Sequence, residues 1–267
     1  MKELSRRKFL STLGVTAASL PLLSFNAETF LSSLDIPGMR LGYSAITWGG
    51  DDRQAMKDIS SLGFRGIQLR SNILKEFGNN PEAVRNLLKE YNLEFPMFSS
   101  GNANINTGND EEVIQKHLAN AKFVKAVGGK YIQLTNTSRP RRGSPSSEDL
   151  KKYGRLINEI GKRTQDIGIQ ATYHNHMHQL GETPEEVDII LENCDERNVK
   201  LLLDIAHYLQ GGGDPVQALL KYKDRVSTLH LKDVRPSTSG GRRSYTFVEL
   251  GQGVVNLPDF FKALQQV

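Results

Sequence analysis

Short apolar runs alternate with longer amphipathic stretches from residue 40 to the end of the chain. Runs of four to eight residues rich in Ile, Leu, Val, Tyr and Thr predict strands over 40–46, 66–70, 94–99, 130–135, 170–176, 200–206 and 227–233. Between them lie helical patterns with their own start and stop signals. Pro81-Glu82 opens one and Asp110-Glu111-Glu112 the next, whose Val113, Ile114, Leu118, Ala121 and Val124 share a face. Asp214-Pro215 reads as a cap followed by the residue best tolerated in a first turn. Gly63, Gly128-Gly129 and Gly168 fit the left-handed residue that ends a helix.

Seven strand–helix repeats predict an α/β fold with a parallel sheet covered by helices. A doubly wound nucleotide binder would carry a glycine-rich turn after its first strand. Tyr43-Ser44-Ala45-Ile46-Thr47-Trp48 is no such turn. Polar and ionisable residues gather instead at the C-terminal ends of several strands, where a (β/α)8 TIM barrel builds its active site. The expected fold is therefore that barrel, truncated before its eighth strand, because the pattern ends in the seventh helix. Its open sheet edges would invite association of copies into a homo-oligomer.

Composition narrows this only a little. The single cysteine, Cys194, excludes an internal disulfide and a cysteine-built zinc site. The first 27 residues hold Lys2, Arg6, Arg7 and Lys8 against Glu3, which is three of the net +4 charges. The remaining body is nearly neutral, a poor footprint for nucleic acid. Those residues begin Ser5-Arg6-Arg7-Lys8-Phe9-Leu10 and continue into a mild apolar stretch, and they resemble a twin-arginine signal. The expected division is a signal peptide over 1–27, a linker over 28–39 and the barrel domain over 40–267. It implies export to the periplasm or beyond, with no stable membrane anchor.

The candidate chemistry follows the fifth, sixth and seventh strands. His117 lies mid-helix and reads as structural or solvated, whereas His174, His176, His178, His207 and His230 sit at or near late strand ends. Alternation puts His174 and His176 on one side of their strand. Glu182, Asp204, Lys232 and Asp233 complete the set. Imidazoles with carboxylates suit a divalent cation such as Mn, Co, Zn or Mg. Arg139, Arg141 and Arg142 form a basic loop, read as solvated in preference to a grip on an anionic substrate.

Tyr173-His174-Asn175-His176, Glu182-Thr183-Pro184-Glu185-Glu186-Val187, Leu203-Asp204-Ile205-Ala206-His207, His230-Leu231-Lys232-Asp233 and Gly251-Gln252-Gly253 together resemble the sugar phosphate isomerase/epimerase family with the xylose isomerase-like barrel. Within it the nearest flavour is inosose dehydratase. The resemblance implies one divalent metal ion, held by Asp204, His230 and a fifth-strand ligand. Glu182 is the first choice for that ligand, with His174 or His176 as rivals. His174, His176, His207 and Lys232 are implied to hold substrate oxygens, and Glu182 to act as the catalytic base. The implied reaction is isomerisation or epimerisation of a keto-sugar or related polyol through an enediolate. A dehydratase-like lyase and a non-catalytic sugar binder are the alternatives. At Gln68 relatives often carry a glutamate, so a substrate contact is expected to differ there.

Overall fold

The computed structural model describes Ile36, residues 38–237 and residues 244–267. The expected signal peptide and most of the linker lie outside the described residues. Seven strands form one parallel sheet in sequence order: β1 (Gly42–Ser44), β2 (Gly66–Arg70), β3 (Glu94–Asn102), β4 (Tyr131–Thr135), β5 (Gln170–His174), β6 (Val199–Asp204) and β7 (Val226–His230). Helices α1 (Asp52–Ser61), α2 (Leu74–Phe77), α3 (Pro81–Glu90), α4 (Asp110–Val127), α5 (Ser147–Gln165), α6 (Pro184–Glu192), α7 (Ile205–Gln210) and α8 (Pro215–Lys221) fill the connections, and α9 (Leu257–Leu264) follows.

Strand order equal to sequence order is the signature of a βα barrel, since a doubly wound sheet reverses at a switch point. The curl of the sheet is visible in one contact. His230 at the end of β7 lies 3.1 Å, Nε2 to Oε1, from Gln68 of β2. Five strand spacings in a flat sheet would part them by about 24 Å. The sheet therefore bends round until its late and early strands face each other.

The start signals act as the sequence suggests. Asn80 and Asp214 cap α3 and α8 ahead of a first-turn proline, and Ser146 with Asp149 forms a capping box on α5. Gly128 ends α4 at φ 101°, a left-handed conformation that suits glycine. Gly129 follows in ordinary backbone but has no room for a side chain. A Cβ there would stand 2.7 Å from Val124 Cγ1.

Alternation along the strands separates two faces. Ile67, Leu69, Ile132, Leu134, Ala171, Tyr173, Leu201 and Leu203 are fully buried in the apolar core. The intervening positions share the other face, because registered residues of a parallel sheet point the same way. Gln133 is paired with Thr172, His174 with Leu202, and Asp204 with His230. Gln68 stands opposite Met97, which pairs with Tyr131, two residues from Gln133. Gln68, Gln133, His174, Asp204 and His230 thus line the barrel interior at its C-terminal end.

Several strands are shorter than their apolar runs. The strand expected over 40–46 stops at Ser44, and Ala45–Trp48 turns into a 3-10 helix. The strand expected over 200–206 stops at Asp204, whose carboxylate caps α7 by accepting from the His207 N–H at 3.0 Å. The strand expected over 170–176 stops at His174, so alternation does not place His176. The run expected over 227–233 is split. β7 ends at His230, and Asp233 opens an antiparallel hairpin of β8 (Asp233–Pro236) and β9 (Tyr245–Val248) that the sequence pattern did not suggest. Asp233 fastens the chain after that hairpin: its carboxylate accepts from the backbone N–H groups of Gly251, Gly253 and Val255.

Candidate metal and substrate site

Asp204 is the centre of the site and has no solvent exposure. Its Oδ2 accepts from His174 Nε2 at 3.1 Å and from Lys232 Nζ at 2.6 Å. His230 Nδ1 stands 3.5 Å from the same oxygen, and His207 Nε2 3.9 Å. Asn175 holds the backbone behind it, accepting from the Asp204 N–H and donating to its carbonyl. Burial alone would raise the Asp204 pKa. The Lys232 charge, with the surrounding imidazoles, outweighs it and holds the carboxyl well below the usual carboxylate range.

The imidazoles are pushed the other way. Burial keeps His174 well below its ordinary value, lowers His176 and pushes His207 down to about 4. Each is therefore a neutral ring at neutral pH. His207 Nδ1 donates to Gln210 Oε1 at 2.8 Å, which leaves Nε2 to accept from Lys232 at 3.2 Å. His176 donates from Nδ1 to the Met177 carbonyl and lies against His207, with ring centroids 3.7 Å apart. A tight turn after β5, and not strand alternation, brings it there. Phe247 of β9 overhangs the group, its half-exposed ring edge-on to His207 at 5.6 Å and 5.5 Å from the Lys232 ammonium.

His174, Asp204 and His230 form the group whose ligand atoms all lie within 4.8 Å of one another. This arrangement fits a divalent cation on its own evidence. It offers a buried ionised carboxylate, and His230 Nδ1 is buried without a hydrogen-bond partner, as a waiting ligand atom would be.

Glu182, expected among the ligands, is held elsewhere. Its carboxylate accepts from the His178 N–H at 2.9 Å and lies 3.4 Å from Arg139 Nε. β5 ends eight residues before it, and the intervening turn carries it to the loop after β4. Among the described residues the fifth-strand member of the group that could hold a metal ion is His174. Arg139 is a further correction: it is not solvated but nearly buried, paired with Glu182 and, at 2.6 Å, with Glu186. Glu186 also accepts from the N–H groups of Gly181 and Glu182. His178 points away, with its side chain 88% exposed. His117 is structural: it is fully buried, held by the Ser100 hydroxyl at Nδ1 and the Asn102 carbonyl at Nε2.

Gln133 is the residue that sequence reasoning passed over. Its Nε2 donates to His174 Nδ1 at 2.8 Å, and its Oε1 accepts from Gln68, which in turn accepts from His230. The signal was a lone amide in the otherwise apolar run Tyr131-Ile132-Gln133-Leu134. Phe247 carried no comparable signal.

A curled parallel sheet with neutral imidazoles, a carboxylate and an ammonium at its C-terminal mouth is the arrangement of a TIM-barrel enzyme site. The chain belongs to the xylose isomerase-like TIM barrel family, whose model matches residues 56–267. It is 26% identical over 262 residues to an inosose dehydratase of Clostridium botulinum, covering 85% of this chain and 86% of the relative. Among solved structures it is similar to the IolI protein with a bound zinc atom (TM-score 0.69, 16% identity, 85% of each chain). It is also similar to a D-tagatose 3-epimerase-like protein (TM-score 0.68, 18% identity, 85% of this chain and 86% of that one). The expected fold and family hold, and the relatives are enzymes, as the sequence implied.

Proposed function

We propose that this protein is a divalent-metal-dependent isomerase or epimerase. Its substrate is a keto-sugar or related polyol, and its reaction moves a proton at the carbon beside the carbonyl through an enediolate. The observation that carries the reading is the buried Asp204 carboxylate with the unpartnered His230 Nδ1 beside it, at the C-terminal mouth of a barrel. Asp204 and His230 would hold the cation, with His174 as the third corner of the group. A bound cation supplies Lewis-acid stabilisation of the negative charge that develops on a ketone oxygen. The zinc in a structural neighbour supports a metal of this kind.

The rest of the chemistry belongs to the chain's own side chains. Lys232 presents an ammonium beside the carboxylate and can donate to a substrate oxygen. His207, turned by Gln210, offers Nε2 to a hydroxyl, and His176 backs it. Glu182 is the proposed base. Arg139 and the His178 N–H hold its carboxylate in place, so that it can take a proton from the substrate. Phe247 gives the apolar wall against which a sugar's C–H face can lie.

Dehydration is a second reading, supported by the name of the 26% identical relative. Both begin with the same proton abstraction and part afterwards, by return of a proton or by loss of a β-hydroxyl. Incubation with keto-sugars and with inosose in D2O, with EDTA and then with Mn, Co, Zn or Mg, separates them. Deuterium in an epimer or isomer supports the first reading, and loss of water supports the second. Turnover that EDTA leaves untouched removes the metal. Ligand affinity without turnover under any metal makes the protein a sugar binder. Export through the segment 1–27 belongs to the same proposal and is checked by cell fractionation with the paired arginines replaced by lysines.

A further inference from the structure

Four side chains from four strands form one unbroken line across the barrel mouth. His230 Nε2 lies 3.1 Å from Gln68 Oε1. Gln68 Nε2 donates to Gln133 Oε1, and Gln133 Nε2 donates to His174 Nδ1 at 2.8 Å. His174 Nε2 then reaches Asp204 Oδ2 at 3.1 Å. Both glutamines, His174 and Asp204 are buried, so these groups have no water to fall back on.

A carboxamide has one end that only donates and one that only accepts. Two in series therefore transmit a direction. His230 must donate from Nε2, because Gln68 meets it with oxygen, and in a neutral ring this leaves the lone pair on Nδ1. His174 must accept at Nδ1, because Gln133 meets it with an NH2 group, and its proton then sits on Nε2. A protonated His174 ring would set N–H against N–H. Reversing both amides reverses both rings together. Reversing one alone sets two amide N–H groups, or two oxygens, against each other and forfeits a buried bond. No arrangement of two neutral rings that keeps all three bonds turns both lone pairs toward Asp204.

Asp204 selects between the two directions. In the one observed, the His174 N–H points at an ionised oxygen 3.1 Å away. In the reverse, a ring lone pair would face that oxygen at the same distance. The unpartnered His230 Nδ1 agrees with the observed direction, since a lone pair turned toward the carboxylate finds no donor there.

We infer that Gln68 and Gln133 are positioning residues that give the two histidines opposite tasks: His230 offers its Nδ1 lone pair to a cation, while His174 keeps a proton on Nε2 and pins the Asp204 carboxylate. This rests on the proposed metal reading and sharpens it, from a site of two imidazoles and a carboxylate to one of a single imidazole and a carboxylate. Glutamate at position 133 would abolish the polarity, because a carboxylate accepts at both ends. His230 would keep its state through Gln68, and His174 would be forced to carry a proton on Nδ1.

The test is long-range 1H–15N correlation on the full chain with 15N-labelled histidine, the rings assigned by His174→Asn and His230→Asn, first with EDTA and then with zinc alone. In the wild type both rings should show the Nε2–H tautomer. Zinc should shift Nδ1 of His230 and leave the Nε2–H of His174 in place. In Gln133→Glu the His174 Nδ1 signal should become that of a protonated nitrogen, and zinc should then shift His174 Nε2 as well. A wild-type His174 with its proton on Nδ1, or one that surrenders Nε2 to zinc, overturns the inference. If zinc shifts neither ring, the metal reading falls, while the tautomers in EDTA still judge the relay.

Discussion

The ammonium of Lys232 lies 2.6 Å from Oδ2 of Asp204, a carboxylate that no water reaches. Lys232 is itself one-third exposed, so it is a cation that can withdraw. It stands where the proposed metal would be drawn, beside the same oxygen, and the two compete for one charge. Lys232→Met should destabilise the metal-free protein by about 2 kcal/mol. This is less than the ~3–5 kcal/mol of a fully buried pair, because the lysine is partly solvated. The same variant should bind Mn about tenfold more tightly, since a neighbouring positive charge is gone. Urea unfolding in EDTA and calorimetric titration with Mn alone measure the two effects. Unchanged stability together with weaker Mn binding would mean that Lys232 supports the metal instead of opposing it.

Metal removal sorts the histidines. Asp204→Asn and His230→Ala should each lose stoichiometric metal by elemental analysis while far-UV circular dichroism stays near wild type. His207→Ala should retain the metal and weaken the sugar, because its Nε2 faces Lys232 and lies 3.9 Å from the Asp204 oxygen. Loss of metal in the His207 variant as well would put that imidazole among the ligands.

Glu182 stands apart from the group around Asp204, held by Arg139 and the His178 N–H. A base so placed acts on the substrate, not on the cation. Glu182→Gln should therefore lower kcat by about 10²–10⁴-fold, the usual range for removing a positioned acid or base. Its metal content should stay that of the wild type. If the substitution strips the metal and spares kcat at saturating metal, Glu182 is a ligand and the base lies elsewhere.

His117 supplies a pH dependence remote from the site. Burial pushes its pKa down to about 4, against about 6.5 in an unfolded chain. The folded state thus holds its ring neutral in a range where the unfolded state binds a proton. Stability from this residue is complete above about pH 6.5 and is lost as the pH falls toward 4. Two pKa units of that interval correspond to about 2–3 kcal/mol. His117→Met removes the titration, so its unfolding free energy should fall less between pH 7 and pH 4.5, by about that amount. Parallel losses in both proteins would show that the ring titrates alike in the folded and unfolded chain.

Much of the architecture was legible because it is encoded over short stretches. Apolar runs and their caps place seven strands and the helices between them, since periodicity and first-turn hydrogen bonds involve residues a few positions apart. The same locality placed Asp204, His207 and His230 at strand ends. Strand lengths were less legible: Asp204 ends β6 through a cap on the His207 N–H, although the apolar run continues through Ile205 and Ala206. The hairpin of β8 and β9 escaped notice because four-residue strands with exposed Thr246 and Phe247 carry almost no alternation.

The division of labour within the site was decided elsewhere. Spacing alone admits Glu182, His174 or His176 as the fifth-strand ligand. Arg139, 43 residues upstream, draws Glu182 to the loop after β4. The line from His230 through Gln68 and Gln133 to His174 joins residues 162, 65 and 41 positions apart. What the sequence determined by itself is the order of elements and the kinds of side chain that end them. Which of those side chains meet, and which nitrogen of each ring faces the carboxylate, only the curled sheet decides, because hydrogen-bond direction is set by the partner across the barrel and not by a neighbour along the chain.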